Sequence, residues 1–112
     1  MKKFKLSPFE AISALHETDE VFKTLFEHGS LSVEIYKPNT VDHQKPHMRD
    51  EIYVIISGSG KFKIENKTVS FTPGDFLFVP AGMKHRFFDF SDDFSTWVFF
   101  YGPEGGEAHK SR

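Results

Sequence analysis

"PGDFLFVPAGMKHRFFD", residues 73–89, decides how this chain is read. It runs in fixed steps: Gly74, five residues, Pro80, one residue, Gly82, two residues, His85, three residues, Asp89. Gly74 supplies the backbone freedom that a turn between strands needs. Pro80 and Gly82 bracket a rigid bend. His85 then opens a strand. Side chains alternate along a strand, so Phe87 and Asp89 share the face of His85, and Arg86 and Phe88 take the other. A lone histidine at a strand start is more often a satisfied polar residue than a ligand, so the stretch needs a partner elsewhere.

The partner is "DHQKPHMRDEIYVIISGSG", residues 42–60. Here His47, three residues, Glu51, six residues and Gly58 follow in order. Together the two stretches resemble the cupin family. Its first motif is Gly, five residues, His-x-His, three or four residues, Glu, six residues, Gly. Its second is Gly, five, Pro-x-Gly, two, His, three, Asn. The second motif is met in full except that Asp89 stands where Asn is usual. The first is met from His47 onward, but Lys45 occupies the slot of the first histidine. The resemblance covers about residues 31–101.

The resemblance implies an all-β fold: a single-domain jelly-roll β-barrel with six or more strands per face, open at one end. It implies a divalent metal held by His47, Glu51 and His85. The charged ammonium of Lys45 has no lone pair to offer a metal. Gln44, His43 or water must then stand in for the missing histidine. Strict alternation puts His43 on the correct face. Pro46 cannot join a β-ladder, so the backbone there is irregular, and a bulge would turn Gln44 inward. The Gln-x-Pro-His order is similar to that of other short cupins and favours Gln44. Residue chemistry reaches the same trio more weakly. Two imidazoles and one carboxylate with open positions suit Fe(II) and accept Mn, Ni, Co or Zn.

Around the motifs the chain reads as strands and tight turns. "LSVEIY" alternates Leu31, Val33 and Ile35 against Ser32 and Glu34, a half-buried strand. "VFKTLF" before it forms a hairpin with it, turning at His28-Gly29. "IYVII", "KFKIE", "TVSFT", "FLFVP", "HRFFDF" and "STWVFFY" are further strands, divided by "SGSG", "NK", "PGD", "AGMK" and "SDD". Only "SPFEAISALHE", 7–17, reads as a helix, with Ser7 and Glu10 in a capping box and Pro8 at the first helical position. Phe9, Ile12 and Leu15 recur along it at helical spacing. Residues 1–30 should supply this helix and the first strand, 31–101 the barrel core, and 102–112 a flexible polar tail.

Composition excludes other classes. The chain has 112 residues, a net charge of −2 and no cysteine. It carries no basic footprint for nucleic acid, no disulfide framework and no cysteine nucleophile. That fits a reducing cytoplasm, where we expect it to reside. The amino terminus reads neither as a secretory signal nor as a membrane span. Fourteen phenylalanines point to an aromatic β core. Tyr53, Phe76, Phe78, Phe87, Trp97 and Phe99 are the candidates for core or cavity wall. "GSGK", 58–61, lacks phosphate-loop spacing, and no nucleophilic serine motif is present. "DFSDD", 89–93, is a turn, or Asp89 supports His85. His16, His28 and His109 belong on the surface.

Three functions follow. The chain is a metal-binding cupin acting on a small polar molecule, oxygenase- or isomerase-like, with the metal as Lewis acid and template. It is a non-catalytic binding or sensing module. Or it is metal-free, with Lys45 recognising an anion. Edge strands are best covered by pairing, so a homodimer is expected.

Overall fold

The structure is a computed structural model and describes residues 4–108; His109 lies outside them. One helix, α1 (Pro8–His16), precedes eight strands. These are β1 (Phe22–His28), β2 (Leu31–Tyr36), β3 (Asp50–Ser57), β4 (Gly60–Ile64), β5 (Lys67–Phe71), β6 (Phe76–Val79), β7 (His85–Phe88) and β8 (Ser95–Tyr101). They form two antiparallel sheets, a five-stranded one in the order β1-β2-β8-β3-β6 and a three-stranded one in the order β5-β4-β7. The barrel faces thus hold five and three strands, fewer than six each.

Local chemistry explains the boundaries. Glu10 N–H donates to Ser7 Oγ at 3.2 Å, and Ser7 N–H returns a bond to Glu10 Oε1 at 3.3 Å, so the capping box sets where α1 begins. Ala11 and Leu15 bury against Ile35, whereas Phe9 is 81% exposed and takes no part in the packed face. The β1–β2 hairpin closes through Gly29-Ser30, one residue later than expected, with Gly29 at φ +58°. The β4–β5 turn falls at Glu65-Asn66, also one residue off, with Glu65 at φ +54°. Gly58, which ends the first motif, allows a close approach. A Cβ there would stand 2.5 Å from the Phe94 Cα.

The core lies between the sheets. Tyr53, Ile55, Val79 and Val98 on the larger sheet meet Phe62, Phe71 and Phe87 on the smaller, with Phe94 closing one side. The rings pack edge-on or tilted, Tyr53 to Phe87 at 4.8 Å and Phe87 to Phe94 at 4.7 Å, the geometry aromatic quadrupoles prefer.

The opposite face of the larger sheet is also apolar. The register aligns Phe26, Val33, Phe99, Ile52 and Phe78 in one row across all five strands. Ile35, Trp97, Val54 and Phe76 form the next row. α1 packs against Ile35 and Trp97 in that second row. Phe76 and Phe78 remain exposed, at 62% and 42%, so neither is core or cavity wall.

The tail that begins at residue 102 makes hydrogen bonds to the barrel as far as Glu107. Gly102 N–H donates to Ser30 Oγ, Gly105 N–H to the Met48 carbonyl and Glu107 N–H to Asp50 Oδ2. Asp50 is buried, and its other oxygen accepts from Ala81 N–H at 3.0 Å. One carboxylate therefore ties the tail to the bend of the second motif.

Candidate metal centre

The segment from Val41 to Arg49 belongs to no strand. Pro46 removes a donor there, as expected, but the outcome is a loop rather than a bulged strand, so alternation does not decide which side chains turn inward. Hydrogen bonds decide instead. Asp42 is buried and accepts four of them: Tyr36 O–H at 2.6 Å and Gln44 N–H at 3.0 Å on Oδ1, Phe87 N–H at 2.8 Å and Gln44 Nε2 at 3.2 Å on Oδ2. With its amide nitrogen on Asp42, Gln44 presents Oε1 to Tyr53 O–H at 3.0 Å and to His47 Nε2 at 3.4 Å.

His47, Glu51 and His85 converge. Their candidate ligand atoms all lie within 4.8 Å of one another. Glu51, on β3, is fully buried. Its Oε1 is 3.2 Å from His85 Nε2 and its Oε2 3.9 Å from His47 Nε2. His85 comes from β7 on the facing sheet, as the spacing requires. The His47 carbonyl accepts from Gly82 N–H at 2.6 Å, so the bend of the second motif sets the position of the first motif's histidine. Gly82 takes φ +80° there.

This donor set fits a divalent ion. Both Glu51 oxygens are buried without an aligned hydrogen-bond donor among the described residues. An unsatisfied buried carboxylate is costly, and a cation between it and two imidazoles removes the cost. Two ligands about 2.1 Å from one ion stand about 3.0 Å apart at right angles and about 3.4 Å apart in a tetrahedron; the Glu51–His85 pair, at 3.2 Å, falls between these, and the His47–Glu51 pair, at 3.9 Å, stands wider. His85 Nδ1 lies 3.0 Å from the Met83 carbonyl. A carbonyl only accepts, so Nδ1 carries the proton, and in the neutral ring the Nε2 lone pair faces the cluster.

Burial pulls the His85 imidazole toward neutrality, but the Glu51 carboxylate and the Met83 carbonyl outweigh it. Its pKa in the metal-free protein lies above the ordinary histidine value. Burial, then the Glu51 charge, push the Tyr53 phenol well above its usual range. Tyr53 therefore stays a neutral hydroxyl, in contact with His85 Nε2 at 3.1 Å and Gln44 Oε1.

Other expectations need correction. His43 is exposed on the rim of the cavity and lies outside the cluster. Lys45 is exposed and does not line the cavity, so it is not placed to recognise an anion there. Asp89 is exposed at φ +49°, and the Nδ1 support of His85 is Met83. The backbone explains that last motif position: it needs a left-handed residue, which Asn and Asp tolerate best after glycine.

The cavity has a volume of about 490 Å³, and its polar lining includes His47, Gln44, His43 and Asn39. Its apolar walls are Val21, Phe22, Tyr36, Val41, Val98 and Phe100. None of the six aromatic candidates lines it. Trp97 and Phe99 face a separate groove with Phe4 and Phe26, and Tyr53 and Phe87 are core. Glu34 also lines the cavity. In β2 the apolar residues turn toward α1 and the polar ones toward the cavity, and alternation alone does not say which side is which. Asp42, Tyr36 and Glu34 are site residues that the sequence reading passed over. The Asp42–Gln44 spacing, an Asx-turn pattern, was the one available signal.

The sequence profile of the cupin domain family matches residues 32–101, both motifs included. The chain belongs to the cupin family. An uncharacterized protein of Streptomyces coelicolor is 34% identical over 106 residues, 93% of this cupin and 99% of that protein. The acireductone dioxygenase of Gallus gallus is 38% identical over 56 residues, 46% of this chain but only 31% of the dioxygenase. The crystal structure of a cupin superfamily protein from Desulfitobacterium hafniense superposes with a TM-score of 0.65 at 16% identity, covering 90% of this cupin and 94% of that chain; it bears on fold alone. No helix among the described residues is long and apolar enough to cross a membrane.

Proposed function

We propose that this cupin holds a divalent metal, iron, manganese, zinc or nickel, through His47 Nε2, the Glu51 carboxylate and His85 Nε2, with Gln44 Oε1 as the fourth protein ligand. The observation that carries the reading is the buried carboxylate of Glu51, which has no aligned hydrogen-bond donor among the described residues and stands between two imidazole nitrogens. Asp42 fixes the Gln44 amide, Met83 fixes the His85 tautomer, and Gly82 fixes His47.

When bound, the metal supplies Lewis acidity and a template for an oxygen or nitrogen donor of a small molecule. The chain's own residues orient that molecule and exclude water with Phe22, Tyr36 and Phe100. Neutral Tyr53 holds a hydroxyl against Gln44 and His85. Oxygenase- or isomerase-like chemistry fits such a centre, and the partial likeness to a dioxygenase supports the former. The same site without turnover is a binding module, and one superfold hosts both.

The test is elemental analysis of the purified protein beside a His47→Ala, Glu51→Ala, His85→Ala triple variant. Near-stoichiometric metal in the wild type and none in the variant is expected; equal content in both removes the metal reading. Oxygen uptake on Fe(II)-loaded protein with phenols, thiols and enediols then separates enzyme from binder.

We also propose a homodimer. Its support is the apolar rows on the outer face of the five-stranded sheet, which leave Phe76 and Phe78 exposed.

A further inference from the structure

The cavity has a second polar feature besides the metal cluster. Glu34 sits in the middle of β2, between Thr24 of β1 and Val98 of β8 in register. Thr24 Oγ1 donates to its Oε2 at 3.2 Å, which holds the carboxyl in the wall. Burial, opposed by the Thr24 bond and reinforced by the charges of Glu51 and Glu27, raises its pKa above the usual carboxylate value. Among the described residues no lysine or arginine lines the cavity; its other polar lining residues are Asn39, His43, Gln44 and His47, and the structure gives Glu34 a hydrogen bond from Thr24.

His47 and Gln44 connect the cavity to the proposed metal cluster, where an ion would accept a lone-pair donor. Along the wall the cavity offers aromatic and branched apolar surface. At Glu34 it offers an acceptor, and a negative charge whenever the carboxyl is ionised. A partly buried carboxyl with no lysine or arginine in its cavity gains most from an N–H or O–H group, and more from a cationic one than a neutral one. An anionic group beside it adds like-charge repulsion in a low-dielectric wall. Aromatic faces also favour cations.

We infer that Glu34 is the specificity-determining residue of the cavity and that its ligand is a small molecule with an apolar, ring-sized body carrying an amine. The orientation of that ligand, lone-pair donor toward His47 and amine toward Glu34, rests on the metal reading above; the preference for an amine does not. The volume of about 490 Å³ lies in the range of small-molecule sites.

Three probes share one body and differ at the end: phenylethylamine, phenylethanol and phenylpropanoate. Their affinities are measured by calorimetry on wild type and Glu34→Gln, each as purified and after metal stripping. In stripped wild type the amine should bind about tenfold tighter than the carboxylate, with the alcohol between. Glu34→Gln, nearly isosteric, should bring all three within about threefold of one another, because only the charge is lost. In metal-loaded protein the carboxylate can gain by reaching the ion, so stripped protein decides the inference and loaded protein reports on the metal. Equal binding of amine and carboxylate by stripped wild type overturns the inference, and this comparison needs no variant. Retention of the amine preference in folded Glu34→Gln overturns it too, as does the absence of binding by all three at millimolar concentration. A protein that never holds metal but prefers the amine would sink the metal reading and leave this one standing.

Discussion

The Gly82 amide donates to the His47 carbonyl at 2.6 Å, joining the bend of one motif to the loop of the other. Gly82 makes that bond from φ +80°, with open space around a would-be Cβ. Replacing it by alanine therefore costs backbone strain alone, about 1–2 kcal/mol. Gly82→Ala should lower the thermal midpoint and weaken metal binding together, since relaxing the bend moves His47. A denaturation curve and a metal titration on the same sample check both; weakened stability with unchanged affinity would separate the bend from the site.

Glu51→Gln should abolish metal binding. It should also make the metal-free fold more stable at alkaline pH, where His85 is neutral and the buried carboxylate has no counter-charge. The gain is about 1–3 kcal/mol, the cost of an unsatisfied buried polar group. Urea unfolding in the presence of chelator, wild type against variant, measures it. Wild type should lose stability when chelator is added, and the variant should not.

The raised pKa of His85 fixes a pH dependence of definite sign. The unfolded imidazole titrates near the ordinary value, about 6.5. The folded, metal-free protein holds its proton to higher pH. The stabilisation from the His85–Glu51 pair is therefore complete below the ordinary value and is lost as pH rises through the folded one. Metal binding must displace that proton, so affinity rises over the same interval. Thermal midpoints of stripped protein across pH should fall through this window, and His85→Gln should flatten the fall. Calorimetry in buffers of different ionisation heat should show proton release on metal addition.

Asp42 accepts four hydrogen bonds in a buried position. Asp42→Ala strands their donors and should cost about 1–3 kcal/mol for each one left unsatisfied in the interior. Asp42→Asn is milder but offers an amide where Gln44 Nε2 needs an acceptor. That variant should fold, turn Gln44 and bind metal more weakly, which a competition titration against a chromophoric chelator would reveal.

Phe76→Glu together with Phe78→Glu should convert a dimer to a monomer and leave metal content unchanged. Both side chains stand on the face turned from the cavity, and an exposed apolar patch of this kind marks an association surface. Light scattering after gel filtration gives the mass directly; a monomeric wild type refutes the dimer.

Much of this was legible in the chain before any coordinates. The capping box of Ser7 and Glu10 and the strand sequence from residue 52 onward follow from local chemistry, and the meeting of His47, Glu51 and His85 was implied by the resemblance to the cupin motifs. What failed to read through was facing. Glu34, Val33, Trp97 and Phe99 sit on strands whose two sides are both covered, one by the opposing sheet and the cavity, the other by α1 and apolar neighbours. Alternation marks two sides without naming the inner one. Gln44 and Asp42 lie on a segment with no ladder, where orientation comes from side-chain acceptors distant in sequence. Those acceptors become visible only once the chain has folded.

The loop from Val41 to Arg49 contributes two of the four proposed ligands and no rung of either sheet. It is held to the barrel by side-chain and backbone hydrogen bonds, from Tyr36 and Phe87 to Asp42, from Tyr53 to Gln44 and from Gly82 to His47, rather than by strand pairing. Substitutions at Gln44 would alter the donor set offered to the proposed ion while β3 and β7 keep Glu51 and His85 in place. Directed evolution aimed at new reactivity in this scaffold has its least expensive handle there.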